Sequence, residues 1–173
     1  MSDFSAHFSK TALPALDTDT TKVILENLSI VMTYVFSYQA LADFYGAYFV
    51  GHHRFLMLAF TTTPQRRATR ALLELAVLYR ALDDTQSIVK SIDPEDTGEW
   101  GKVHTTKGEV ERLPLRELVN KIIHAEEIGW SFKSIMDPQI VCFAGERQQE
   151  LFGWTEAVIP MSALATACSG LVS

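Results

Sequence analysis

What this chain lacks narrows its reading before any pattern is sought. Its 173 residues hold two cysteines, Cys142 and Cys168, far apart and each among apolar neighbours. That excludes a disulfide framework and a cysteine zinc site, and fits buried thiols in a reducing compartment. Basic excess is also missing: 15 Lys and Arg against 21 Asp and Glu leave a net charge of −6. A general nucleic-acid binder needs a broad basic face, so that role is not expected. The longest apolar stretch, residues 29–50, contains Gln39 and Asp43. An aspartate near the middle of a membrane span costs about 2.5–3.5 kcal/mol, so no crossing is expected. The opening MSDFSAHFSK has no basic region followed by an apolar core. No secretory signal is therefore expected, and the expected location is cytoplasmic.

Catalytic signatures are sparse too. No His stands three residues after a Glu, as a carboxylate-bridged di-iron bundle would need. There is no HExxH pair for a zinc protease and no Gly-x-Ser-x-Gly elbow. Gly98 to Val103 only superficially suggests a phosphate loop, because its glycines are too close and Val103 stands where Ser or Thr is needed. No cofactor or metal is expected.

What is present is an ordinary globular composition, 47% apolar and 21% charged. The length suits one domain, residues 1–173. Residues 1–19 read as an arm, 20–90 as a helical layer, 91–112 as a polar loop and 113–173 as a helix, strands and a last helix. In the helical layer, Ile24, Leu28, Val31, Val35, Tyr38, Ala42, Tyr45 and Phe49 advance by three and four residues. That spacing makes one continuous helical stripe, with Asp19 or Thr20 as its cap. Between Ile30 and Phe36 the helix is apolar nearly all round, so a homodimer through the Ile30–Phe49 helix is expected. The aromatic residues from Phe36 to Phe49 could otherwise line an apolar pocket, although at helical spacing they are more often core.

Thr61-Thr62-Thr63-Pro64 reads as a stop and restart, with Thr63 as N-cap and Pro64 in the first turn. The helix it opens should reach about Val89, with Leu72, Leu75, Tyr79 and Leu82 inward and Arg70–Glu74 and Arg80–Asp84 as exposed pairs. Lys107-Gly108 suggests a short hairpin turn. Beyond Gly129 the period changes to that of strands, in a three-stranded antiparallel meander over about 130–159. A helix from Pro160, with Met161, Leu164, Cys168 and Leu171 inward, closes the chain. The expected fold is α+β and mostly helical: two long antiparallel helices, a third helix, the meander and a C-terminal helix.

Two constellations carry chemistry. Arg116, Asn120 and His124 stand four residues apart in LPLRELVNKIIHAEEIGW, residues 113–130. The apolar arc of that helix is Leu115, Leu118, Val119, Ile122 and Ile123, so the three polar residues form a slanted ridge facing away from it. A histidine transfers protons near neutral pH, an arginine holds phosphate, and an amide orients a substrate. An arginine followed by a histidine on one helix resembles the HEPN ribonuclease family. The resemblance covers this helix alone and implies Arg116 and His124 as a catalytic pair with Asn120 as companion. The seven residues between Arg116 and His124 exceed the family's spacing. The plainer reading, a solvated face with Glu117–Lys121 beside it, takes precedence.

The second constellation is basic. Residues 51–80 hold Arg54, Arg66, Arg67, Arg70 and Arg80 against Glu74 alone, a local balance of +4 in an acidic chain. Arginines near a helix N-terminus are locally unfavourable, and a bound anion would relieve them. Thr63, Arg66, Arg67 and Arg70 are thus candidate binders of a small anionic ligand, with His52 and His53 nearby. Pairing of Arg66 and Arg67 with Asp93, Glu95, Asp96 or Glu99 is the commoner alternative. Together these readings favour a non-catalytic binding or protein-interaction module. The alternative is an RNA- or nucleotide-directed hydrolase using the arginine–histidine pair.

Overall fold

The structure, a computed structural model, describes residues 18–49, 54–93 and 95–172. Of the arm expected over residues 1–19, the first 17, like His52 and His53, lie outside them, and Thr18 and Asp19 already belong to a helix. Helix α1 (Thr18–Tyr48) buries Ile24, Asn27, Val31, Tyr34 and Val35, a stripe of the expected spacing. Asp19 sits in its first turn, where a negative charge favours the helix dipole. No described helix is long and apolar enough to cross a membrane.

The second long helix departs from expectation at its start. Helix α2 (Arg54–Met57), a π-helical segment (Leu58–Thr62) and α3 (Thr63–Gln86) follow one another without a break. Thr62 has φ −68° and ψ −42°, helical values, and no side chain caps the junction. The Thr63 amide donates to the Leu58 carbonyl. Thr63 is therefore not an N-cap, and the proline does not restart the helix. Pro64 has no amide hydrogen, and its ring crowds the carbonyl one turn back; widening that turn removes the conflict.

On α3 the inward set is Ala68, Ala71, Leu72, Leu75, Ala76, Tyr79, Leu82 and Asp83. Its alanines let α1 approach closely. The two helices are antiparallel, since Phe44 near the end of α1 meets Phe60, and Asn27 near its start meets Glu74. The helix does not reach Val89. Ser87 takes a left-handed conformation (φ 54°), and a short α4 (Ile88–Ile92) follows. Asp83 secures the corner by accepting from the Val89 amide at 3.0 Å.

The sheet is larger than the expected meander. Strands β1 (Lys102–Thr105), β2 (Val110–Arg112), β3 (Glu127–Ser131), β4 (Gln139–Phe143) and β5 (Trp154–Pro160) form one antiparallel sheet in the order β2-β1-β5-β4-β3. The Lys107-Gly108 turn is present, with Gly108 at φ +81°, and its hairpin joins the sheet when β1 pairs with β5. Helix α6 (Glu146–Phe152) stands where a turn was expected between the last two strands, ended by Gly153 at φ +67°. Helix α5 (Leu115–His124) and helix α7 (Met161–Val172) complete the chain.

Alternation places Val103, Ala157, Cys142, Ile140 and Ile159 on the sheet face that meets the helices, all buried. Leu115, Leu118, Val119 and Ile122 of α5 and Met161, Leu164, Cys168 and Leu171 of α7 fill the space between. Trp130 of β3 sets its edge against Tyr34 of α1, ring centroids 5.1 Å apart, so the strand layer is pinned to the long helix.

Candidate functional site

The ridge on α5 does not face away from the fold. It runs along the seam with α3, because α5 has an apolar arc narrow enough to leave its flanks touching a neighbour. Arg116 reaches Asp84 at 3.0 Å and Asp83 at 3.4 Å, both on α3. Asp84 also accepts from Arg80 Nε at 3.0 Å. Arg80 Nη1 then donates to Asn120 Oδ1 at 2.6 Å, and Asn120 Nδ2 donates to Glu117 Oε1 at 2.9 Å. Glu117 Oε2 lies 3.3 Å from Lys121 Nζ, which sits 4.8 Å above the centre of the Trp154 ring. Six polar side chains thus form one relay from Arg116 to the indole, alternating donors and acceptors so that each partner is matched.

Beside the relay opens a cleft of about 440 Å³ lined by Arg80, Glu117, Asn120, Lys121, Ile123, His124, Phe152 and Trp154. Its polar side comes from α3 and α5; its aromatic side comes from the end of α6 and the start of β5. Of the expected catalytic trio, Asn120 and His124 line this cleft and Arg116 does not. Arg116 instead closes over the seam beside Tyr79, Asp83 and Val119, where no space remains. The Arg116–His124 geometry that the ribonuclease resemblance implies is therefore not presented to a common opening. Among the other residues lining the cleft, Arg80, Lys121 and Trp154 do not stand out as site residues in the sequence. Arg80 looked like half of an exposed i,i+4 pair, and its bond to Asn120 spans 40 residues.

The basic segment lies elsewhere. Arg66 and Arg70 line a groove of about 370 Å³ with Thr62, Gln65, Thr69 and Leu73. Thr63 and Arg67 are exposed and do not line it. Because the Thr63 amide is used within the helix, the free amides on which an anion site was expected are not there. Arg70 pairs with Glu74 at 2.8 Å and holds that carboxyl below its usual pKa. The acidic loop finds other partners: Asp96 pairs with Arg112 at 3.5 Å, and Asp93 accepts from Trp100 Nε1 at 2.7 Å. Among the described residues, neither Arg66 nor Arg67 pairs with that loop.

No protein-family model, curated protein or solved structure matches the chain. Function therefore rests on the surfaces alone. Among the described residues no group of three His, Cys, Asp or Glu side chains could hold a metal ion. Burial alone pushes the Cys142 and Cys168 thiols up to about 12, which removes them as nucleophiles in the native fold.

The other prominent surface is the far end of the long hairpin. Tyr38 still stacks on Phe132 after β3, centroids 4.3 Å apart, and Phe36 and Gln39 border the same segment; beyond them α1 runs beside the α2–α3 rod. Phe44, Phe49 and Phe60 gather there, with centroids 5.6–6.4 Å apart. Yet among the described residues none from 36 to 49 or from 55 to 67 is buried. Phe36 is 50% exposed, Phe44 45%, Tyr48 73% and Phe55 87%. The expected apolar stripe is real, but its members past Val35 are only half-buried.

Proposed function

We propose that this chain is a non-catalytic interaction module that docks through the far end of the α1–α3 hairpin, its partner a second copy of the same chain. One observation carries this reading: a rod of two aromatic-rich helices in which no described side chain beyond Val35 on α1, or before Ala68 on α3, is buried. Monomeric proteins seldom expose apolar surface so contiguously, and such patches mark contact sites. A hairpin of two antiparallel helices needs two more helices to enclose its apolar side, and a second hairpin placed beside it supplies them as a four-helix bundle. A two-fold contact puts the same patch on both sides. The α1 side of the patch suits self-contact, because Asp43 is the only charged residue between Ser29 and Phe49, whereas the α2–α3 side carries Arg54, Arg66 and Arg67.

Sedimentation velocity of the full chain over a concentration series tests the reading. The expected result is a dimer that Phe44→Glu with Tyr48→Glu converts to a monomer of unchanged circular dichroism. Tyr48 is 73% exposed and Phe44 45%, so neither belongs to the buried core of one copy. A wild-type chain that stays monomeric throughout, or a dimer indifferent to both glutamates, would overturn the proposal.

A further inference from the structure

We infer that the cleft between α3, α5 and the α6–β5 junction is a binding site for a small phosphate monoester with a flat apolar body. This inference is independent of the docking surface, which lies at the other end of α3.

The charged end of the ligand is recognised by three donors from two elements. Lys121 and His124 are three apart on α5 and so lie side by side on its surface. Arg80 reaches the same opening from α3, its guanidinium held by Asp84 and Asn120. Two of the five guanidinium N–H donors serve those bonds, and the others remain for a ligand. The one carboxylate in the lining, Glu117, is already engaged by Asn120 on one oxygen and Lys121 on the other. Arg80 and Lys121 therefore outweigh it, and the lining is positive in an otherwise acidic protein. Donors arriving from separate side chains in different directions match the three terminal oxygens of a tetrahedral phosphate. A planar carboxylate is better matched by one forked guanidinium.

The relay makes this a pre-formed site. Arg80 is held by Asp84 and Asn120 and Lys121 by Glu117, and Lys121 keeps only 13% of its side chain in solvent. The aromatic side supplies the rest. Phe152 is 68% exposed at the end of α6, an apolar ring facing water for which the fold itself offers no use. A flat ligand body laid along Phe152 covers it, with Ile123 and Trp154 behind. The volume, about 440 Å³, falls in the range of small-molecule sites.

The test uses phenyl phosphate as probe on the full chain, with inorganic phosphate and benzyl alcohol as partial probes. Binding is followed by amide and indole resonances in two-dimensional NMR and by calorimetry. Phenyl phosphate should shift the Trp154 indole and the α5 amides saturably. His124→Ala should weaken it about tenfold, the loss of one charge-assisted contact. Phe152→Ala should weaken phenyl phosphate while leaving inorganic phosphate unchanged. Both side chains are exposed, so both variants should fold. The inference fails if phenyl phosphate causes no saturable shift, if the shifts fall around Arg66 and Arg70 instead, or if neither substitution alters the affinity. Binding of benzyl alcohol as tightly as phenyl phosphate would also overturn it, since the charged end would then contribute nothing.

Discussion

Replacing Asp93 should destabilise the fold by an amount the structure lets one work out. Its carboxylate is buried and accepts three N–H donors: the Trp100 indole at 2.7 Å and the Thr97 and Gly98 amides at 3.0 Å each. Burial alone would raise its pKa, but the indole, the two amides and the nearby Arg112 outweigh that, and the group sits below its usual value. Hydrogen bonds to a charged acceptor contribute about 1.5–3 kcal/mol each when shielded, and less where water can replace them. The indole bond is buried, so about 2 kcal/mol is assigned to it, and about 1 kcal/mol to each amide. Relief of the desolvated carboxylate offsets about a third of that sum, leaving about 2–3 kcal/mol for Asp93→Ala. In a chain of this size the midpoint of thermal unfolding would fall by about 5–10 °C. The pH dependence has a definite sign. A depressed folded pKa means that the contribution is whole above the unfolded value, near pH 4, and is lost as pH falls through the lower folded value. Urea unfolding of the wild type and of Asp93→Ala, followed by tryptophan fluorescence at pH 7 and pH 3, reads both effects. The gap between them should narrow at pH 3. A loss below about 1 kcal/mol for Asp93→Ala, or a gap that does not change with pH, would refute the reasoning.

Three other substitutions or reagents probe neighbouring features. Gly98→Ala should break the same latch from the other side, because a β-carbon there would overlap the Trp100 indole nitrogen and lie 2.9 Å from Asp93 Oδ2. Its effect should not add to that of Asp93→Ala, and full additivity in equilibrium unfolding would separate the two. Arg116→Ala should cost about 1–2 kcal/mol, since Asp83 loses its cation while its own side chain stays 4% exposed. Asp83→Asn in the same chain should recover part of that loss, which a double-mutant cycle measures. Finally, both thiols should resist a thiol reagent at pH 8 in the native protein and react fully in denaturant, because burial holds them near 12. Rapid labelling of the folded chain, counted by mass spectrometry, would contradict that.

Local pattern made the helices legible, and distance along the chain hid the rest. The buried faces of α5 and α7 appear in the sequence because three- and four-residue spacing is a local property. Strand β1 joining β5 was not legible, since its register pairs Val103 with Ala157, and only the finished core selects that match. Helix α6 has too few residues to establish a period and looked like a turn. Thr63-Pro64 looked like a boundary because a proline forbids a regular helical hydrogen bond; it does not forbid a widened one. The ridge on α5 is polar in the sequence, but its neighbour is invisible there: nothing at Asn120 announces Arg80. A pair of helices must be packed before their flanks can be told from their solvent faces.

The widened turn ahead of Pro64 does more than admit a proline. One surplus residue advances the chain by about 100° around the helix axis. Side chains before Leu58 and after Thr62 therefore follow two different phases along one rod. The downstream phase is locked, because Ala68, Leu72 and Leu75 are committed to α1. The upstream phase, which aims Phe55, Leu56 and Met57, is set by the turn and by little else. A change that restored the regular repeat would swing the tip to a new bearing without disturbing a core side chain. The heading of the tip and the folding of the body can then vary separately, like a bit turned in a fixed chuck.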